Sequence, residues 1–179
     1  MKKILSLAVL AAMSTASMAA TMDNTNWYAG LVVGSTKFKA LDGSENKTNF
    51  GANLGYALNE NVAFELQAQR LGSWSDSDGS LKVSTVNLSV LAGAPISDGI
   101  KLFARFGYAR NTLKASLDGY SATDHANKAI VGVGADFKVA SNVSLRTEYS
   151  YLGSNTVGSG ANSIDVKISQ FNVGVNFAF

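Results

Sequence analysis

The 179-residue sequence predicts an all-β protein, an eight-stranded antiparallel up-and-down transmembrane β-barrel. Three observations carry this prediction. Eight segments alternate apolar and polar residues with period two. The connections between them alternate short and long, as in barrels that cross a membrane with even strand numbers. Charged residues sit at mid-segment on the polar face, where side chains in a closed lumen can pair.

The chain opens with Met1-Lys2-Lys3, then an apolar run Ile4–Met13, then small residues ending Ser17-Met18-Ala19. That order is expected of a cleaved secretory signal peptide, residues 1–19, cut after Ala19 or Ala20. Residues 20–179 are then the barrel domain. Removing Lys2 and Lys3 leaves 13 basic against 13 acidic residues, so the remaining chain is formally neutral and no nucleic-acid partner is implied. Charged residues make up 16% of the chain, below the usual share of about 25%. The absence of Cys excludes disulfides and thiolate chemistry, and a single His leaves little for a metal site. No cofactor is expected.

No stretch after residue 20 has the apolar length of a membrane helix. The period-two segments are 26–36, 48–58, 62–73, 82–94, 100–111, 128–139, 143–153 and 164–179. In the third, Val62, Phe64, Leu66 and Ala68 form one face, and Ala63, Glu65, Gln67 and Gln69 the other. In the seventh, Val143, Leu145, Thr147, Tyr149 and Tyr151 oppose Ser144, Arg146, Glu148 and Ser150. The short connections are 59–61, 95–99 and 140–142, with the single proline, Pro95, in the second. The long ones, 37–47, 74–81, 112–127 and 154–163, are rich in Ser, Gly, Asn and Asp.

Lipid offers no hydrogen bonds, so a spanning sheet must close and leave no edge. Lipid also turns the apolar face outward. The inward phase then carries Glu65, Arg105, Asp136, Arg146 and Glu148, with Lys101 nearer a strand end. Glu65–Arg146, and Arg105 with Asp136 or Glu148, are the expected lumen pairs. Trp27, Phe50, Trp74, Tyr108, Tyr149, Tyr151, Phe177 and Phe179 lie near segment ends and suit the water–lipid boundaries. Gly30, Gly34, Gly51, Gly55, Gly107, Gly132 and Gly134 fall on the inward phase, where a narrow barrel has little room, or mark bends. Phe103 shares that phase. In the last segment Ile164, Val166 and Ile168 are out of phase with Phe171, Val173, Val175, Phe177 and Phe179. Either a bulge near Ser169-Gln170 resets the phase, or the upper strand lies beyond the membrane.

Several stretches resemble the transmembrane barrel of the outer-membrane protein A (OmpA) family. Asp23-Asn24-Thr25-Asn26-Trp27-Tyr28-Ala29-Gly30 resembles its first strand. Pro95-Ile96-Ser97-Asp98 with Leu102-Phe103-Ala104-Arg105 resembles its fourth turn region and fifth strand, and Asp136-Phe137 with Arg146-Thr147-Glu148-Tyr149 its sixth and seventh. Gly174, Phe177 and Phe179 in Asn172–Phe179 resemble the C-terminal outer-membrane assembly signal, which implies the barrel-assembly machinery as a partner. The resemblance implies a Gram-negative outer membrane, with lipid and lipopolysaccharide as neighbours. It covers the barrel only, so the peptidoglycan-binding role into which such proteins often extend is not carried over. Glu65, Asp136, Arg146 and Glu148 match an interior cluster that resembles a gate; Val32 and Leu91 stand where the family has lysines.

Two functions from different classes follow. One is a structural or porin-like barrel whose inward charges plug the lumen or gate it narrowly. The other is a surface adhesin or host-interaction protein acting through its four long connections, which carry Lys37, Lys39, Lys47, Asp76, Asp78, Asp118, Asp124 and His125 in mixed order. Catalysis has weak support: Asp76-Ser77 and His125 sit in different connections with no orienting arrangement, and no catalytic residue is assigned. A soluble lipocalin-like barrel would need the opposite facing of polar and apolar residues.

Overall fold

A computed structural model describes residues 26–40, 43–76, 79–117, 120–157 and 164–179. Residues 1–19, expected to be a signal peptide, lie outside them. Eight strands follow one another: β1 (Trp27–Ala40), β2 (Gly43–Ala57), β3 (Val62–Asp76), β4 (Gly79–Ser97), β5 (Ile100–Leu117), β6 (Tyr120–Lys138), β7 (Val143–Val157) and β8 (Ile164–Ala178). Each pairs with the next, and β8 returns to β1 to close the barrel. The closing seam runs antiparallel from Tyr28↔Ala178 to Lys39↔Lys167 without a register shift. Every strand is therefore paired on both sides, which is what hydrocarbon demands.

The alternation places side chains as lipid requires. Leu31, Val33, Leu54, Leu66, Leu88, Phe106, Val133 and Val173 lie exposed on the outer face. Thr36, Asn53, Gln67, Asn87, Ser150 and Gln170 lie buried inside. Asn59 shapes the turn between β2 and β3: its Oδ1 accepts hydrogen bonds from the backbone N–H groups of Asn61 and Val62, each at 2.9 Å. Pro95 lies within the end of β4, beside a register irregularity between Pro95 and Ser97, where a missing donor costs no ladder bond.

The strands have 14 to 19 residues, more than the roughly 9–11 that cross a membrane. The surplus continues past the outer boundary as paired sheet. The long connections expected at 37–47, 74–81 and 112–127 are therefore mostly strand, with β5 and β6 paired as far as Leu117↔Tyr120; of the fourth, 154–157 belongs to β7 and 158–163 lies outside the described residues. Pairing partners supply hydrogen bonds to these polar stretches even where water is present, so composition alone concealed them.

Facing reverses at the same height. Ser35, Lys37, Thr48, Arg70, Arg110 and Lys167 replace apolar residues outside. Leu71, Val83, Ala109, Ile130, Leu152 and Ile168 form a buried apolar cluster inside. The lower part of the barrel thus follows the rule of lipid and the upper part that of water. This explains the phase break in β8. No bulge occurs at Ser169-Gln170, because Ile168, Gln170 and Asn172 all stay buried in one unbroken phase. The irregularity lies on β7 instead, between Tyr151 and Ser154, where Gly153 takes φ 82°, a left-handed conformation that costs a residue with a Cβ. A second bulge, between Arg70 and Gly72, turns Leu71 fully into the interior.

Candidate functional site in the lumen

Glu65, Arg105, Asp136, Arg146 and Glu148 meet in the lower half of the lumen, carried by β3, β5, β6 and β7. Arg105 Nη2 stands 2.6 Å from Glu65 Oε1, and Arg105 Nε 2.8 Å from Glu148 Oε1. Arg146 Nη1 stands 2.5 Å from Glu65 Oε2, and its Nε 2.6 Å from Asp136 Oδ1. The result is one alternating chain, Glu148–Arg105–Glu65–Arg146–Asp136. Of the two expected partners for Arg105, Glu148 takes it and Asp136 goes to Arg146. Both arginines use the two-pronged geometry that guanidinium and carboxylate share. Lys101 faces Asp136 across the β5–β6 ladder.

Hydrogen bonds complete the desolvated carboxylates. Tyr28 donates its O–H to Glu65 Oε2 at 2.8 Å, and Asn53 Nδ2 donates to the same oxygen at 3.2 Å. Ser150 donates to Glu148. The Arg146 guanidinium lies 4.8 Å from the centre of the Phe103 ring. Gly55 and Gly134 make these placements possible. A Cβ on Gly55 would overlap the Tyr28 ring, and one on Gly134 would overlap the Phe103 ring.

Sequence reasoning overlooked Tyr28 as part of this cluster, although it shares the inward phase of Gly30 and sits opposite Gly55. It also overlooked the apolar clusters at both ends. Ala63, Leu91 and Phe103, with Tyr28 and Ala57 against them, form an apolar patch at the lower mouth, beside a cavity of about 330 Å³ that Asp136 and Arg146 also line. The Leu71–Ile168 cluster closes the upper end. Leu91 packs in the lower apolar patch, and Val32 borders a void of about 10 Å³ beside Arg146 and Glu148.

Trp74 departs from the aromatic boundary expected for it. Its ring turns into the outer mouth, packs edge-on against Phe38 at 5.2 Å, and donates Nε1–H to Glu45 at 2.9 Å. Trp27, Phe50, Tyr108, Tyr149, Tyr151 and Phe179 remain exposed on the outside, and Phe177 is half-buried. His125 stands in β6 rather than in a loop, with Nδ1 3.1 Å from Thr112 Oγ1. The Asp76 and Ser77 side chains lie outside the described residues. On β8, Gly174 sits opposite Val32 and Arg146, and the Phe179 N–H reaches the Trp27 carbonyl at 3.0 Å.

A closed antiparallel barrel, apolar outside and charged within, defines an integral outer-membrane β-barrel protein. The chain belongs to the outer membrane protein beta-barrel domain family, whose pattern matches residues 5–179, and its place is the outer membrane of a Gram-negative bacterium. It is 30% identical to outer membrane protein A of Salmonella typhi over 197 aligned positions, covering 99% of this chain and 55% of that protein. The outer membrane protein A of Yersinia pseudotuberculosis is 27% identical, over 88% of this chain and 49% of that protein. The chain spans about half the length of the curated relatives it matches. Neisserial surface protein A shares the fold with TM-score 0.72 at 18% identity, covering 87% of this chain and 98% of that one. Ail, the attachment invasion locus protein of Yersinia pestis, shares it with TM-score 0.58 at 21% identity, covering 88% of this chain and 100% of that one.

Proposed function

We propose that the protein is a structural barrel with a plugged, non-conducting lumen. The carrying observation is the five-residue charge chain that spans the lumen beneath the upper apolar cluster, with Glu65, Arg105 and Glu148 fully buried in it. An ion crossing the lumen must separate buried pairs, and removing one partner of such a pair costs roughly 3–5 kcal/mol. The void beside Arg146 and Glu148 holds about one water, not a file of them. Rearrangement into a gate would in addition require the upper apolar cluster to part. Purified protein in a planar bilayer tests this reading. The expected trace is flat; unitary currents in the wild type that change with Arg146→Ala would replace the plug with a gate.

A second reading, contact with anionic surfaces at the cell exterior, has its own support. Above the apolar band, Lys39 stands directly opposite Lys167, and Lys82 opposite Lys114. Like charges facing one another across a ladder are unfavourable without a counter-charge. Ail, similar in fold, has been crystallised in complex with the heparin analogue sucrose octasulfate. A polyanion, on a host cell or in neighbouring lipopolysaccharide, fits this basic belt. Retention on immobilised heparin at moderate salt, weakened by Lys82→Glu with Lys114→Glu, is the expected result. Passage of the wild type without delay would remove the adhesin reading.

We also infer that Gly174, Phe177 and Phe179 form the segment the barrel-assembly machinery reads. In support, β8 is the strand that closes the barrel on β1. In cells, Phe179→Ala is expected to lower the assembled fraction severalfold while refolding of purified protein in detergent is unchanged; equal assembly in cells would dismiss the signal.

A further inference from the structure

On the outer wall above the apolar band, charge is sorted by sign. Arg70, Lys82, Arg110 and Lys114 stand exposed on β3, β4 and β5. Apart from one another, their ladder neighbours are Phe50, Ser73, Ser84, Val86, Thr123 and Asn127, all uncharged. Among the described residues none of the four cations forms an ion pair. Glu45 and Asp124, the acids nearest in height, turn into the inner mouth instead. Cations gathered without a counter-charge are unfavourable, and Lys82 directly opposite Lys114 is the sharpest case. The patch therefore calls for an anion from outside the chain.

Position restricts what that anion is. The Arg70 guanidinium lies 5.8 Å from the centre of the Phe50 ring, and Arg110 comes two residues after Tyr108 on the same face. Phe50 and Tyr108 are exposed aromatics at the top of the apolar band, the level at which lipid heads lie. Directly below, Val86, Leu88 and Phe106 present bare apolar wall. Ser84 pairs with both Arg70 and Thr112, so the two arginines are two strands and two residues apart, about 12 Å between backbones. A guanidinium holds a phosphate through two parallel hydrogen bonds. We propose that this wall binds an outer-leaflet lipid whose head carries two phosphates, one on Arg70 and one on Arg110. Its acyl chains lie against Val86, Leu88 and Phe106, and Lys82 and Lys114 stand above as further counter-charges. The proposal rests on the anionic-surface reading above and names its partner: the membrane around the barrel, not a polyanion on a host.

The test mixes the full chain in detergent with lipid A, monophosphoryl lipid A or phosphatidylglycerol, and native mass spectrometry reads the lipid retained. Lipid A is expected to bind about tenfold more tightly than the monophosphoryl form, the loss of one charged phosphate contact, and phosphatidylglycerol no better than the latter. Arg70→Gln or Arg110→Gln should bring lipid A down to the monophosphoryl level. Lys37→Gln with Lys39→Gln, which removes charge from the β1 wall, should leave it unchanged. Two results overturn the proposal. One is equal retention of the two lipid A forms by the wild type. The other is an equal loss from the β1 pair and from either arginine, which reports net charge and no site. Immobilised heparin separates this site from the reading it rests on. Heparin retention without a preference for lipid A overturns the lipid site alone. A preference for lipid A without heparin retention keeps the site and removes the adhesin. The wild-type comparison of the lipids decides the matter even where a variant fails to fold.

Discussion

Glu65 and Arg105 join across the lumen from strands that are not neighbours, with Arg105 Nη2 2.6 Å from Glu65 Oε1 and both side chains fully buried. A ladder bond fixes only adjacent strands. This contact ties β3 to β5 over the intervening β4, so it holds register around the barrel.

Arg105→Met strands Glu65 and Glu148 with fewer counter-charges. The expected loss is about 3–5 kcal/mol, the cost of an unpaired buried charge. Unfolding in urea from lipid vesicles measures it. Replacing Glu65, Arg105 and Glu148 together with apolar residues of like size should recover most of that loss, because the pairs then no longer need desolvation.

Tyr28→Phe removes one donor from Glu65 and leaves the ring beside Gly55 in place. Bonds to charged groups contribute roughly 1.5–3 kcal/mol, so a loss in that range is expected by the same measurement. A loss near zero would mean that Asn53 and the arginines already satisfy the carboxylate.

Depth dependence tests which face meets lipid. Val133→Lys lies in the apolar band and should cost about 2–4 kcal/mol, whereas Ser35→Lys, on the same outer face but above the band, should cost about 0–1 kcal/mol. Equal costs would contradict the placement of the membrane.

Leu71→Ala hollows the upper apolar layer. The expected loss is about 2–5 kcal/mol, the range for a fully buried leucine. Water entry should then reach Gln69 and Gln170 beneath, and faster exchange of their side-chain amide protons would report it.

At the outer mouth, hydrogen bonds from Lys47 and Trp74 hold the exposed Glu45 carboxyl below its ordinary range. A depressed acid contributes stability above its unfolded titration point and loses it as pH falls through the lowered one. In a Trp27→Phe background, Trp74 fluorescence should therefore stay constant on acidification until below the usual carboxylate range, then change. Glu45→Gln should shift this transition or remove it.

How much was legible depended on whether a signal was local or needed the closed barrel. The inward phase of Glu65, Arg146 and Phe103 could be read from neighbours two residues away. The strand extensions could not, because Ser, Asn and Asp in 112–127 look like loop until β5 and β6 are seen paired. Trp74 was misplaced because aromatic residues suit a lipid boundary and a protein interior equally well. Only its height, above the band, separates the two.

Period-two alternation by itself determined strands, their number, and the face that each presents, since side-chain direction is a property of the local backbone. The tertiary structure decided the partners. Arg105 goes to Glu148 rather than Asp136, because curvature and shear bring together side chains that lie far apart along the chain. It also decided where facing reverses, since the height at which lipid gives way to water belongs to the closed barrel and not to any one strand.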